Sequence, residues 1–332
     1  MSTSIEKQCE LFIKNRAVLK AYCKWSSEQF YPICASIFTD QRKVAEPERL
    51  RQCRSILRKE AGIFSTFRSG SELVMISMLA VANLPELQMR RAGEAYALLR
   101  KHFIGSEYLA VAAMYIAKTV EPDRYEAVST RAKRLYEKMK QDHPFQVDAS
   151  DMVVAVMMAV SQLTDTQLLC EAEQCEVILR KELGRGIAVR TLARVLTLVD
   201  AASELKCHRV ISVYRLLKKK GFFYGTGHEL AALGVLAMLP ADIEAIAYDT
   251  ILADKCLSGQ KCYGVFGLSK TQRLMHAGMI VTSSYMGYKE NSKMMNNMAI
   301  TCAIALVAAQ RAAMCVAITA AGTAAVNSFR HK

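Results

Sequence analysis

Phe103-Ile104-Gly105-Ser106-Glu107-Tyr108-Leu109-Ala110-Val111-Ala112-Ala113-Met114 is the stretch on which the reading of the fold turns. An aromatic anchor leads into a short polar turn, Ser and Glu follow, and the chain then runs apolar on every side. A Ser at a helix start accepts from free backbone N–H groups, and the acid after it complements the positive helix end. A helix that is apolar all round belongs inside a protein. The pattern recurs at Phe67-Arg-Ser-Gly-Ser71-Glu72-Leu-Val and at Phe145-Gln-Val-Asp-Ala-Ser150-Asp151-Met-Val. Looser copies begin at Ile187, Phe223 and Phe266. Six anchors spaced by roughly forty residues predict tandem structural repeats.

Between the apolar runs lie segments of a different kind. Tyr125, Val128, Ala132, Leu135 and Met139 recur at helical spacing within 124–141, and every other position there is mostly polar. Leu168, Ala172, Cys175, Leu179 and Leu183 do the same within 166–183, as do Cys207, Val210, Tyr214 and Leu217 within 206–220. These are one-sided helices with charged outer faces. Pro85, Pro122 and Pro240 fall near the starts of such segments, where a missing N–H costs little. The unit reads as a buried helix, a short turn and an amphipathic helix. The expected fold is therefore all-α: about six helix hairpins stacked into an α-solenoid-like or compact helical array. Residues 1–66 read as N-terminal cap helices, 67–290 as the array, and 291–332 as Ala-rich packing helices of one continuous domain.

Composition supports helices. Hydrophobic residues make up 52% of the 332, which excludes a disordered chain, and there are only 16 Gly and 6 Pro to mark strand turns. The net charge of +13 raises nucleic acid or an anionic membrane as partners. The excess is shared almost evenly between the two halves, however, so a solvated helical surface is the favoured explanation. Eleven cysteines without paired spacing point to reduced thiols. With an opening segment that lacks the apolar core of a secretion signal, the expected compartment is the cytoplasm. The Ala-rich end is interrupted by Gln310-Arg311, and neither apolar half reaches the roughly twenty residues of a membrane span. A buried helix, not membrane contact, is expected there.

Lys101-His102-Phe103-Ile-Gly-Ser-Glu-Tyr-Leu-Ala-Val-Ala-Ala, then Tyr136 to His143-Pro144-Phe145, then Ala149-Ser150-Asp151, resembles a bacterial family. It is catalogued as domain of unknown function four thousand and three, mostly from Firmicutes. The likeness runs from about residue 10 to the C-terminus. It departs after Phe145, where Gln146-Val147-Asp148 replaces a Leu-Thr-Ser-like stretch. The resemblance implies a cytoplasmic helical protein and carries no active site to transfer.

No catalytic residue, cofactor loop or metal motif stands out from the residues themselves. His143, Asp148 and Asp151, with Glu107 at an equivalent helix start, form the leading candidate ligand or partner site, since one imidazole and several carboxylates can bind a metal or move protons. The plainer reading is a turn and a helix cap. Cys170 and Cys175 with Glu171, Glu173 and Glu176 read as packed thiols on a charged helix. Arg209, Lys218, Lys219 and Lys220, beside Lys206 and Arg215, make one basic patch. Arg42, Lys43, Arg49, Arg51, Arg54, Arg58 and Lys59 make another. Both read first as solvated helix faces and second as grips for a phosphate backbone. The leading expectation is a non-enzymatic scaffold for a protein or peptide partner. Behind it stand a small-molecule binder or enzyme with a pocket near the apolar-helix starts, and then nucleic-acid binding. A homo-oligomer is compatible with all three.

Overall fold

In a computed structural model, every long apolar or amphipathic segment among the described residues is an α-helix. The structure describes residues 4–24, 26, 28–62, 65–142, 147, 151–227, 229–264 and 267–286. Among them the helices are α1 (Ser4–Tyr22), α2 (Phe30–Asp40), α3 (Pro47–Glu60), α4 (Glu72–Val81), α5 (Pro85–Arg100), α6 (Glu107–Thr119) and α7 (Tyr125–Asp142). There follow α8 (Asp151–Val160), α9 (Asp165–Leu183), α10 (Ile187–Leu196), α11 (Ser203–Lys219), α12 (Glu229–Ala237), α13 (Ile243–Ser258) and α14 (Lys270–Met286). No strand occurs among the described residues. One isolated bridge joins Tyr263 to Leu268.

The two predicted kinds of helix are both present. Every residue of α8 from Asp151 to Ala159 is buried, and so is every residue of α12. By contrast α7 buries Tyr125, Val128, Ser129, Ala132, Leu135 and Met139 and exposes most of the rest. In α9 the buried set is Leu168, Ala172, Cys175, Leu179 and Leu183.

The described chain separates into two compact units, residues 15–160 and residues 4–14 with 161–286. In the first, α2, α4, α6 and α8 pack successively as a buried layer, and α3, α5 and α7 pack successively as an outer one. In the second, α10, α12 and α14 form the buried series and α9, α11 and α13 the outer one. Phe12 of its N-terminal segment lies against the His276 ring, with centroids 6.3 Å apart, and Ser4 Oγ meets Ser284 Oγ at 3.0 Å.

Two local expectations need correction. The hairpin has the opposite phase: α3, α5, α7, α9 and α13 each pack most extensively on the buried helix that follows, whereas α11 packs mainly on its outer neighbours α9 and α13. The loop before a buried helix is where the polar turn lets two helices fold back along each other. Ser71, expected to cap α4, does not cap it; its side chain is wholly buried. Ser106 does cap, accepting from Leu109 N at 3.2 Å, whereas Ser150 lies outside the described residues.

No helix among the described residues is long and apolar enough to cross a membrane. The Ala-rich stretch after residue 290 lies outside them.

Candidate functional site: an arginine-lined cleft

The local physics of α3 creates a concave polar surface in the unit of residues 15–160. Pro47 occupies its first turn, where no N–H is required. Leu50, Cys53, Ile56 and Leu57 form the buried stripe. The opposite stripe carries Arg51, Arg54, Ser55 and Arg58, and with Val18, Ala21 and Tyr22 from the end of α1 it lines a half-open cleft of about 740 Å³. A second hollow of about 430 Å³ adjoins it, sharing Ala21, Tyr22 and Arg54 and bounded further by Lys24, Gly70 and Glu72.

The charge in this cleft is unbalanced. Arg54 donates to Glu72 through Nε at 3.4 Å and Nη2 at 3.0 Å. Arg58 Nε reaches the same carboxylate at 3.5 Å. Arg51 pairs with Glu48, whose side chain is 82% exposed and so holds its partner weakly. Lys24, Arg51, Arg54 and Arg58 thus line the two hollows against the single carboxylate of Glu72. Burial opposes the charge on Arg54, but the bond to Glu72 and its charge hold that guanidinium's pKa above the usual arginine value. The Tyr22 hydroxyl is buried beside Arg54 and makes no well-formed hydrogen bond among the described residues. Burial raises the pKa of Tyr22, with Arg54 opposing, so it stays a neutral donor. Guanidinium forks suit a carboxylate or phosphate.

The candidates chosen from sequence lie elsewhere. His143 and Asp148 are outside the described residues. Asp151 is only 2% exposed, in the first turn of α8. Glu107 accepts from Gly70 N at 3.0 Å and so ties α6 to the loop before α4. The basic group around residue 209 is divided by the fold. Arg209 donates to the carbonyls of Ala237, Leu239 and Ala241 at 2.8, 2.9 and 2.9 Å, closing the C-terminal end of α12. Lys206 is wholly buried, bonded to Glu171 and to the carbonyls of Leu196 and Val199. Lys218, Lys219 and Lys220 remain exposed at the end of α11. The other basic group splits too: Lys43 and Arg49 reach the carbonyls of Val81, Ala80 and Ala82 at the end of α4, and Arg51, Arg54 and Arg58 face the cleft.

Cys170 is exposed and Cys175 buried, the latter on the packed stripe of α9. No group of three or more His, Cys, Asp or Glu side chains among the described residues is placed to hold a metal ion. The signal for the cleft was the spacing of Arg51, Arg54 and Arg58, which puts three guanidiniums on one helix face. Tyr22 and Glu72 carried no signal, because their proximity depends on how α1, α3 and α4 pack.

The fold and the cleft define an all-helical protein with a cationic recess and no recognisable catalytic set among the described residues. The chain belongs to the family described as Protein of unknown function (DUF4003), whose model matches residues 15–312. No curated protein and no solved structure matches it.

Proposed function

We propose that this is a non-enzymatic helical-repeat protein, an α-solenoid-like array in the cytoplasm, that holds an acidic segment of a protein or peptide partner. The observation that carries the reading is the half-open cleft of α1 and α3, where cations outnumber carboxylates four to one across the two adjoining hollows. A recess of this kind with an open side suits an extended chain better than an enclosed substrate.

The repeat organisation is supported by acidic first turns that tie a buried helix to its neighbour: Glu107 of α6 bonds Gly70 before α4, and Glu229 of α12 accepts from Thr271 Oγ1 of α14 at 3.1 Å. The aromatic anchors Phe67 and Phe103 pack on Tyr96 and Tyr136 of the next outer helices, with ring centroids 5.1 and 5.6 Å apart. The cytoplasmic assignment rests on the nine described cysteines all being free thiols.

The test is fluorescence anisotropy with two labelled pools of random peptides, one rich in Asp and Glu and one neutral. The wild-type chain is expected to bind the acidic pool, and the charge-reversed variant Arg51→Glu/Arg58→Glu to lose at least about tenfold in affinity, as expected for charge-assisted bonds. Both substituted side chains are substantially exposed, so the fold is retained. Equal binding of the two pools, or an unaffected variant, would remove the reading.

A further inference from the structure

We infer that the anionic group this cleft takes is a phosphate monoester on a side chain of the partner, which rests on the acidic-segment reading above and makes it specific. The donors line one recess from two helices. Arg51, Arg54, Ser55 and Arg58 line it from α3, and Tyr22 lines it from α1. Glu72 already shows what one carboxylate does here: its two oxygens take up one face of Arg54 and reach Arg58. What it leaves unanswered is Arg51, paired among the described residues with the highly exposed Glu48, and the remaining N–H groups of Arg58. A further carboxylate brings a single charge and two acceptors to these guanidiniums. A phosphate monoester brings three terminal oxygens and close to two negative charges.

The size of the recess says where the phosphate is carried. A cleft of about 740 Å³ is far larger than the bare ion, and its wall includes Val18, Ala21 and Pro47. Those apolar groups would cover the chain bearing the phosphate.

The test is isothermal calorimetry with one short neutral peptide carrying, at a single central position, phosphoserine, glutamate or serine, and with inorganic phosphate as a fourth titrant. The phosphoserine peptide is expected to bind about tenfold or more tighter than the glutamate peptide, the margin that a second charge and a third acceptor give in a partly desolvated arginine site. Arg58→Lys, which keeps the charge and loses the fork, is expected to narrow that margin while leaving the glutamate peptide's affinity nearly unchanged. If glutamate binds as tightly as phosphoserine, the phosphate assignment falls and the acidic-segment reading stands. If inorganic phosphate binds as tightly as the phosphopeptide, the assignment to a side chain falls. If none of the four binds, and the acidic peptide pool also fails, both readings fall together.

Discussion

Two glycines show how closely the buried helices approach one another. A Cβ at Gly234 of α12 would lie 2.4 Å from Leu192 Cδ1 of α10, and one at Gly278 of α14 would lie 2.7 Å from the Tyr224 hydroxyl. Tyr224 is only 1% exposed, and its hydroxyl has no hydrogen-bond partner among the described residues. Gly in a helix ordinarily costs about 0.5–1 kcal/mol relative to Ala, so an Ala at an open position would stabilise. At Gly278 the overlap with Tyr224 reverses the sign, because overpacking a filled core costs about 1–3 kcal/mol. Gly278→Ala is therefore expected to lower the urea midpoint, and Gly278→Ala/Tyr224→Phe to restore it to the wild-type value or above. Phe removes both the clashing atom and an unsatisfied polar group. A single substitution that raises the midpoint would show that α14 is less tightly packed against Tyr224 than this.

At the scale of the helix, the ends explain where much of the positive charge goes. A buried helix leaves its last carbonyls without partners and carries partial negative charge there. Arg49 closes α4, Arg131 donates to Ala159 O of α8 at 3.1 Å, and Arg209 closes α12. Each of these arginines sits on the outer helix that precedes the buried one. Arg209→Ala should cost about 2–4 kcal/mol, since three partly buried carbonyls lose a charged donor together. Arg215→Ala, on the same helix but 65% exposed and paired with Glu182, should leave the urea midpoint nearly unchanged. Urea unfolding of the two variants checks the contrast, and equal losses would contradict it. These ends also mark what sequence reading reaches. Hydrophobic spacing places α7, α9 and α11 within a few residues, because a one-sided stripe is a local property. It cannot tell Arg209 from Lys218, since both are basic and only the packing of α11 on α12 turns one inward. Likewise Ser71 and Ser106 look alike in sequence, yet Ser71 follows a short 3-10 turn, Thr66–Arg68, and is buried.

For the molecule as a whole, helices pack in layers within each unit, the chain belongs to its family, and the proposed function rests on one cationic recess. The all-helical architecture was readable because six copies of one pattern reinforce one another. The recess was only half readable: Arg51, Arg54 and Arg58 announce a basic helix face, but its concavity comes from the last turns of α1, far away in sequence. Lys43 and Arg49 of the same neighbourhood are committed to the end of α4, and Arg51, Arg54 and Arg58 face the recess. The measurement that addresses this most directly is arginine footprinting with phenylglyoxal, read by mass spectrometry, with and without a saturating acidic or phosphorylated peptide. Slowed modification of Arg51 and Arg58, with the exposed Arg215 unchanged, is the predicted result. Modification of Arg51 and Arg58 at the same rate with and without peptide would show that the cleft is not where the partner binds.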